Sequence, residues 1–139
     1  MTTWCVDANV VIAILLNEPA SDAARRFWAG LTQADEVVGP YVLLPECTSA
    51  LRRKVLDGSV SEAEGLELID ELLALPIRIE TSAEQFRRSL DWAIRTRRRR
   101  MNDLQYVVVA QISGAEIVTL DGGVRQAALE QGVAVRFLR

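Results

Sequence analysis

Asp7, Glu46, Asp103 and Asp121 are four carboxylates in a chain that contains no histidine, and that pairing of facts narrows the chemistry open to it. Without an imidazole, Ser-His-Asp hydrolysis, Cys-His nucleophilic catalysis, H-E-x-x-H proteolysis and histidine-ligated zinc are all excluded. What is left is carboxylate chemistry. Grouped Asp and Glu oxygens favour hard cations such as Mg2+ or Mn2+, because oxygen donors match them and the cation offsets the acids' mutual repulsion. One such ion, or a pair about 3.5 to 4 Å apart, can activate water against a phosphodiester and stabilise the leaving oxygen without a protein nucleophile. Asp7 and Asp103 would hold the metal, with Asp121 or Glu46 completing its shell directly or through water. Asn9 and Thr119 could hydrogen-bond the water or the phosphate, or simply satisfy a turn.

The elements that must position these residues follow from local pattern. Two β-branched apolar runs, Thr3 to Val6 and Glu116 to Leu120, read as strands closing on Asp7 and Asp121, so each acid stands at a strand's carboxyl end. Between them, the spacing predicts helices over residues 9–16 and 21–33, the second capped by Ser21 and burying Ala24, Phe27, Trp28 and Leu31. A short strand over 36–38 ends at Gly39-Pro40, and a helix over 41–56 tolerates Pro45 only in its first turn. Ser61 opens a capping-box helix that presents Leu66, Ile69, Leu72 and Leu73 and stops at Pro76. A strand over 77–80, a helix from Ser82 to about Thr96, a helix over 101–113 and, after Asp121, a helix over 124–131 and a strand over 133–138 complete the chain. Strands alternating with helices predict an α/β fold with a mostly parallel sheet covered on both faces, in one domain over residues 1–139.

In such a sheet, ligands bind outside the carboxyl ends of the strands, and helices that follow strands begin at that same edge. Glu46 and Asp103, early in their helices, therefore point to the crevice that receives Asp7 and Asp121. Asp103 heads the row Asp103, Val107, Ala110, a charge at the tip of an otherwise apolar face that needs a partner or a metal. Glu46 shares a face with Ala50 and Arg53, and a buried unpaired carboxylate costs several kcal/mol unless it protonates. Taken singly, each acid also reads as a helix cap or a solvated charge, Glu46 and Asp103 more readily than the sheet-edge Asp7 and Asp121. Asp22, Asp35, Asp57 and Asp91 rank lower, because they fall in a helix start, a turn or a polar helix face.

The net charge of -3 excludes a uniformly basic nucleic-acid binder, yet Arg97, Arg98, Arg99 and Arg100 form a dense cluster just ahead of Asp103. They could bind RNA phosphates or form a solvated loop. Cys5 and Cys47 lack metal or redox spacing and read as buried, reduced thiols. No apolar stretch approaches the roughly 20 residues needed to span a bilayer, so a cytoplasmic location and no membrane partner are expected. Trp4, Phe27, Trp28 and Phe86 read as core rather than as a base-stacking platform. Residues 10–16 and 61–75 carry surplus apolar surface, which suits a homodimer or capture of a partner's helix, with core packing as the competing use.

The segments Val6-Asp7-Ala8-Asn9, Pro45-Glu46, Asn102-Asp103-Leu104-Gln105-Tyr106 and Val118-Thr119-Leu120-Asp121, in this order across essentially the whole chain, resemble the PIN-domain ribonucleases, and among them the VapC-type toxins of toxin-antitoxin pairs. The resemblance implies a PIN-like three-layer sandwich with a five-stranded parallel sheet in the order 3-2-1-4-5. It also implies an acidic pocket of Asp7, Glu46, Asp103 and Asp121 holding one or two Mg2+ or Mn2+ ions, with Asn9 and Thr119 as accompanying polar positions. An RNA substrate, an antitoxin protein and a homodimer are the partners it implies. Leu104, where a small residue is usual, and Gly122-Gly123, where the family is more polar, depart from the pattern. A PIN nuclease that is not a toxin is one alternative. A receiver-type phosphoacceptor domain is another, but it wants a lysine near its last strand, and the only lysine is Lys54. A metal-free binding module on the same fold is the third.

Overall fold

The computed structural model describes residues 1–97 and 101–138. Five strands, β1 (Thr3–Val6), β2 (Glu36–Pro40), β3 (Arg78–Glu80), β4 (Glu116–Thr119) and β5 (Val135–Phe137), form one parallel sheet in the order β3-β2-β1-β4-β5. Among the described residues, seven helices flank it in a three-layer α/β arrangement: α1 (Ala8–Leu15), α2 (Ser21–Ala29), α3 (Leu43–Leu56), α4 (Glu62–Ala74), α5 (Ala83–Thr96), α6 (Asn102–Ser113) and α7 (Gly122–Glu130). The central strands explain the topology. Cys5, Val6, Ile117 and Val118 are wholly buried, as required of strands covered on both faces. The edge strands instead carry Arg78 and Arg136, charges that discourage further strand pairing.

Helix α6 lies across β2, β1 and β4, and its residues Leu104 to Ala110 are all buried. Helices α5 and α7 pack against it, while α1 packs against α2 and α3. Pro45 falls in the first turn of α3, the position where a missing N–H costs nothing. Cys5 and Cys47 are free and buried, as expected, and burial pushes the Cys47 thiol up to about 12.

Three expectations are corrected. Helix α2 ends at Ala29 rather than at 33, because Asp35 folds the next residues into a turn by accepting from the Thr32 N–H and hydroxyl. Val10, Val11, Ile12 and Ala13 of α1 and Leu16 just after it are buried, with Ile14 and Leu15 half-buried, so residues 10–16 serve mainly as core, the competing use, rather than as a docking surface. Finally, α5 turns Gln85, Ser89, Trp92 and Ala93 inward and leaves Phe86, Leu90 and Ile94 exposed. A buried amide bridge of 2.8 Å from Gln85 Nε2 to Gln105 Oε1 fixes that face against α6, and Phe86 is therefore not core.

Among the described residues, no helix is long and apolar enough to cross a membrane.

Candidate active site

The strand order reverses at β1, whose neighbours β2 and β4 are reached by crossovers in opposite directions, and the crevice beyond its carboxyl end is where this class of sheet binds ligands. Asp7 follows β1 directly and Asp121 stands two residues beyond β4. The Asp7 N–H extends the pairing by donating to the Val118 carbonyl at 3.0 Å. The adjacent strand ends thus place both acids at one edge. Glu46 arrives from the first turn of α3 and Asp103 from the first turn of α6. The negative charges of Asp121 and Glu46 bear on Asp7, and those of Asp103 and Asp121 bear on Glu46, so all four acids share one electrostatic neighbourhood.

Each acid is held differently. Asp7 is 4% exposed, and its Oδ2 accepts from the Thr119 hydroxyl at 2.6 Å. The Thr119 oxygen in turn accepts from the Asp121 N–H at 2.9 Å, which ties the two strand-end acids together. Burial, reinforced by the charges of Asp121 and Glu46, pushes the Asp7 carboxyl up to about 6, while the Thr119 hydroxyl and the Asn9 amide pull the other way. Glu46 Oε1 accepts from the Tyr106 hydroxyl at 2.8 Å. Its carboxyl is raised, mainly by burial, with the Tyr106 bond opposing and Asp103 and Asp121 adding to the shift. Burial and the negative charges of Asp7 and Glu46 push the Tyr106 phenol up as well, so it stays a donor. Asp121 caps α7 by accepting from the N–H groups of Gly123 at 2.6 Å and Val124 at 3.3 Å.

Thr119 therefore serves as a positioning residue for Asp7 rather than as an open polar group. Replacing it with Val is expected to drive the Asp7 carboxyl above about 6, read by carboxyl-carbon NMR, and to cost on the order of 1–2 kcal/mol of stability; Thr119→Ser should restore both. Asn9 is exposed on the first turn of α1. Arg97 is exposed at the end of α5 in a left-handed conformation, φ 53°, and Arg98, Arg99 and Arg100 lie outside the described residues. Two contributors were missed from sequence. Tyr106 sits three residues after Asp103 on α6, a spacing that puts its phenol on the acid-bearing side. Gly123 is the other: a Cβ there would lie 3.0 Å from Asp121 Oδ1 and 3.2 Å from Asp103 Oδ2, so both carboxylates border the space that this glycine leaves open.

An all-oxygen donor set around such a gap, with two of the acids raised by burial and by like charge, is chemistry that fits a hard divalent cation. Among the described residues no three acids already stand at the spacing of a closed metal shell. Leu104 is wholly buried, so its departure from the family pattern does not reach the crevice. The receiver-type reading is removed on two counts. Lys54 lies 3.9 Å from Glu18, toward the far end of α3, and the strand order differs from the 2-1-3-4-5 of receiver domains.

The PIN domain family model matches residues 4–129, and the chain belongs to that family. Among solved structures it is similar to VapC20 of Mycobacterium tuberculosis, described as a sarcin-ricin loop cleaving toxin, at 19% identity and a TM-score of 0.71, covering 89% of this chain and 94% of that one. It is also similar to VapBC2 of Rickettsia felis bound to a promoter DNA fragment, at 13% identity and TM-score 0.74, over 99% and 100% of the two chains. A third likeness is to VapBC-1 of nontypeable Haemophilus influenzae, at 18% identity and TM-score 0.70, over 98% of each. In sequence, no curated protein matches the chain.

Proposed function

We propose that this chain is an endoribonuclease that hydrolyses RNA phosphodiester bonds with Mg2+ or Mn2+, and that it acts in the cytoplasm as the toxin of a type II toxin-antitoxin pair. The observation that carries the reading is the convergence of Asp7, Glu46, Asp103 and Asp121 at the carboxyl edge of a PIN-family sheet. The toxin role draws support from the VapC and VapBC structures that share the fold. We take residues 1–139 as one PIN-like domain.

Asp7 and Asp103 would hold the cation, with Asp121 and Glu46 completing the set. When bound, one or two such ions supply the charge that acidifies water and steadies the oxygen leaving phosphorus. The protein's own part is preorganisation. Thr119 holds Asp7 toward β4, Tyr106 holds Glu46, and Gly123 keeps the space between Asp103 and Asp121 clear. Asn9, exposed beside Asp7, is placed to hydrogen-bond a phosphate oxygen. Arg97, with Arg98, Arg99 and Arg100, is our candidate for binding the RNA backbone. The partners we propose are an antitoxin and a second copy of the chain. The apolar groove between α3 and α4, lined by Leu51, Val55, Leu66 and Ile69, suits an antitoxin helix.

The test is cleavage of single-stranded RNA with added Mg2+ or Mn2+. Chelation should abolish it, and Asp103→Asn should lower it by roughly 10²- to 10³-fold while leaving the circular dichroism spectrum unchanged. Cleavage that persists in chelator, or none with either metal, overturns the reading. For the toxin role, expression should arrest growth, a small reading frame beside the gene should encode a protein that relieves the arrest, and the lack of such a frame would count against the role.

A further inference from the structure

We propose that the cleft beside Glu46 is a subsite for one unpaired nucleotide of the RNA, its base stacked on Tyr41 and its phosphate met by Arg53. The inference rests on the nuclease reading above and names part of the substrate contact.

The cleft has a volume of about 380 Å³, and Tyr41, Glu46, Ser49, Arg53 and Asn102 line it. Glu46, Ser49 and Arg53 recur at i, i+3 and i+7, so α3 presents them as one row leading away from the acids. At 1.5 Å per residue the row runs roughly 10 Å along the helix axis. It begins with an acid of the candidate centre and ends with an exposed guanidinium that makes no ion pair or hydrogen bond among the described residues. Asn102 closes the other wall one position before Asp103. At the mouth, Tyr41 packs on Phe86 with ring centroids 5.6 Å apart and planes tilted by 54°. Each residue is 44% exposed.

Single exposed aromatics are unremarkable, but two leaning together at the mouth of a polar cleft form a ready stacking surface. Phe86 stiffens Tyr41 from behind, which lowers the entropy lost when a base settles on the outer face. The lining decides between ligands. A protein helix seeks a continuous apolar floor, whereas here the apolar Val42 and Pro45 are interrupted by a carboxylate, a hydroxyl, an amide and a guanidinium. Arginine matches a phosphate with paired N–H donors, and a phosphodiester at the acid end puts the neighbouring nucleotide within the row. Only an unpaired strand offers the face of its base, so single-stranded RNA is the form that fits, with purines favoured by their larger rings.

The probe is random-sequence single-stranded RNA carrying 2-aminopurine, whose fluorescence falls on stacking. With the wild-type protein and Mg2+, Tyr41→Ala should raise KM on the order of tenfold, the loss expected for one base stack, with a much smaller change in kcat. In an Asp103→Asn background it should remove the fluorescence quench, and Tyr41→Phe should restore both. Arg53→Ala should reduce the salt slope of binding by about one. Ile94→Ala, exposed on α5 outside the cleft, should change neither. Unaltered KM and quench in Tyr41→Ala would overturn the subsite while leaving the nuclease intact. Equal losses in Tyr41→Ala and Ile94→Ala, with a dimer falling apart in sedimentation, would make this face a protein interface instead. A wild-type protein that cuts no RNA with either metal would remove both the nuclease and the subsite.

Discussion

Asp7→Asn is expected to abolish metal-dependent cleavage and, in metal-free protein at neutral pH, to raise stability on the order of 2 kcal/mol. The two effects have one cause. The Asp7 carboxyl is buried beside Asp121 and Glu46, and its pKa stands at about 6 in the fold against 3.8 ordinarily. The folded state therefore binds a proton more tightly than the unfolded state does. The stabilising contribution is complete below about pH 4, declines as the pH rises toward 6 and is gone above it, a swing of about 3 kcal/mol at about 1.4 kcal/mol per pH unit. A neutral Asn keeps an oxygen for the Thr119 hydroxyl and carries no charge to desolvate, so it escapes the penalty. Thermal unfolding in chelator at about pH 8 and pH 4 checks this: the variant should lead at the higher pH and draw level at the lower. Added Mg2+ should raise the wild-type midpoint, through binding to the folded state alone, and leave the variant unmoved. A variant less stable than wild type at pH 8 would show that Asp7 is not an electrostatic liability, and the reason for placing a cation beside it would weaken.

That coupling of a destabilised residue to a candidate role also marks what could be read from sequence. The elements were legible because each central strand is a short β-branched run and each helix is punctuated by Gly, Pro or a capping serine. The four acids were legible because strand ends and helix starts fix where a side chain emerges, whatever the packing. The strand order came from family resemblance, since periodicity says nothing about which strands pair. Thr119 was noticed as polar, but its bond to Asp7 depends on the β1–β4 register that sets Val6 beside Val118, a long-range fact. Tyr106 was hidden inside an apolar run. Phe86 was misread as core for a different reason: on α5 the apolar residues Phe86, Leu90 and Ile94 face outward, and the buried face includes a glutamine and a serine. Apolar periodicity and burial disagree here, and of this exposed stripe Phe86 adjoins the cleft through its contact with Tyr41.

Gly123→Ala should leave the fold intact and lower cleavage by roughly 10- to 100-fold, a large effect for one methyl group. Gly123 is the second residue of α7, without the positive φ that would make alanine strained, and alanine is the better helix former by up to about 1 kcal/mol. Unfolding midpoints should therefore hold or rise. The new Cβ, however, would press on Asp121 Oδ1 at 3.0 Å and Asp103 Oδ2 at 3.2 Å, closer than ordinary van der Waals contact. One carboxylate has to give way by a few tenths of an ångström, and if it is Asp121 its short bond to the residue 123 N–H weakens too. Manganese binding measured by calorimetry should weaken alongside activity, which separates displaced donors from a remote effect on RNA. Gly122→Ala is the control, because a Cβ there meets nothing within 4 Å, and it should match wild type in both assays. Full activity in Gly123→Ala would mean that Asp103 and Asp121 do not act across that gap, and one of the two would have to leave the proposed site.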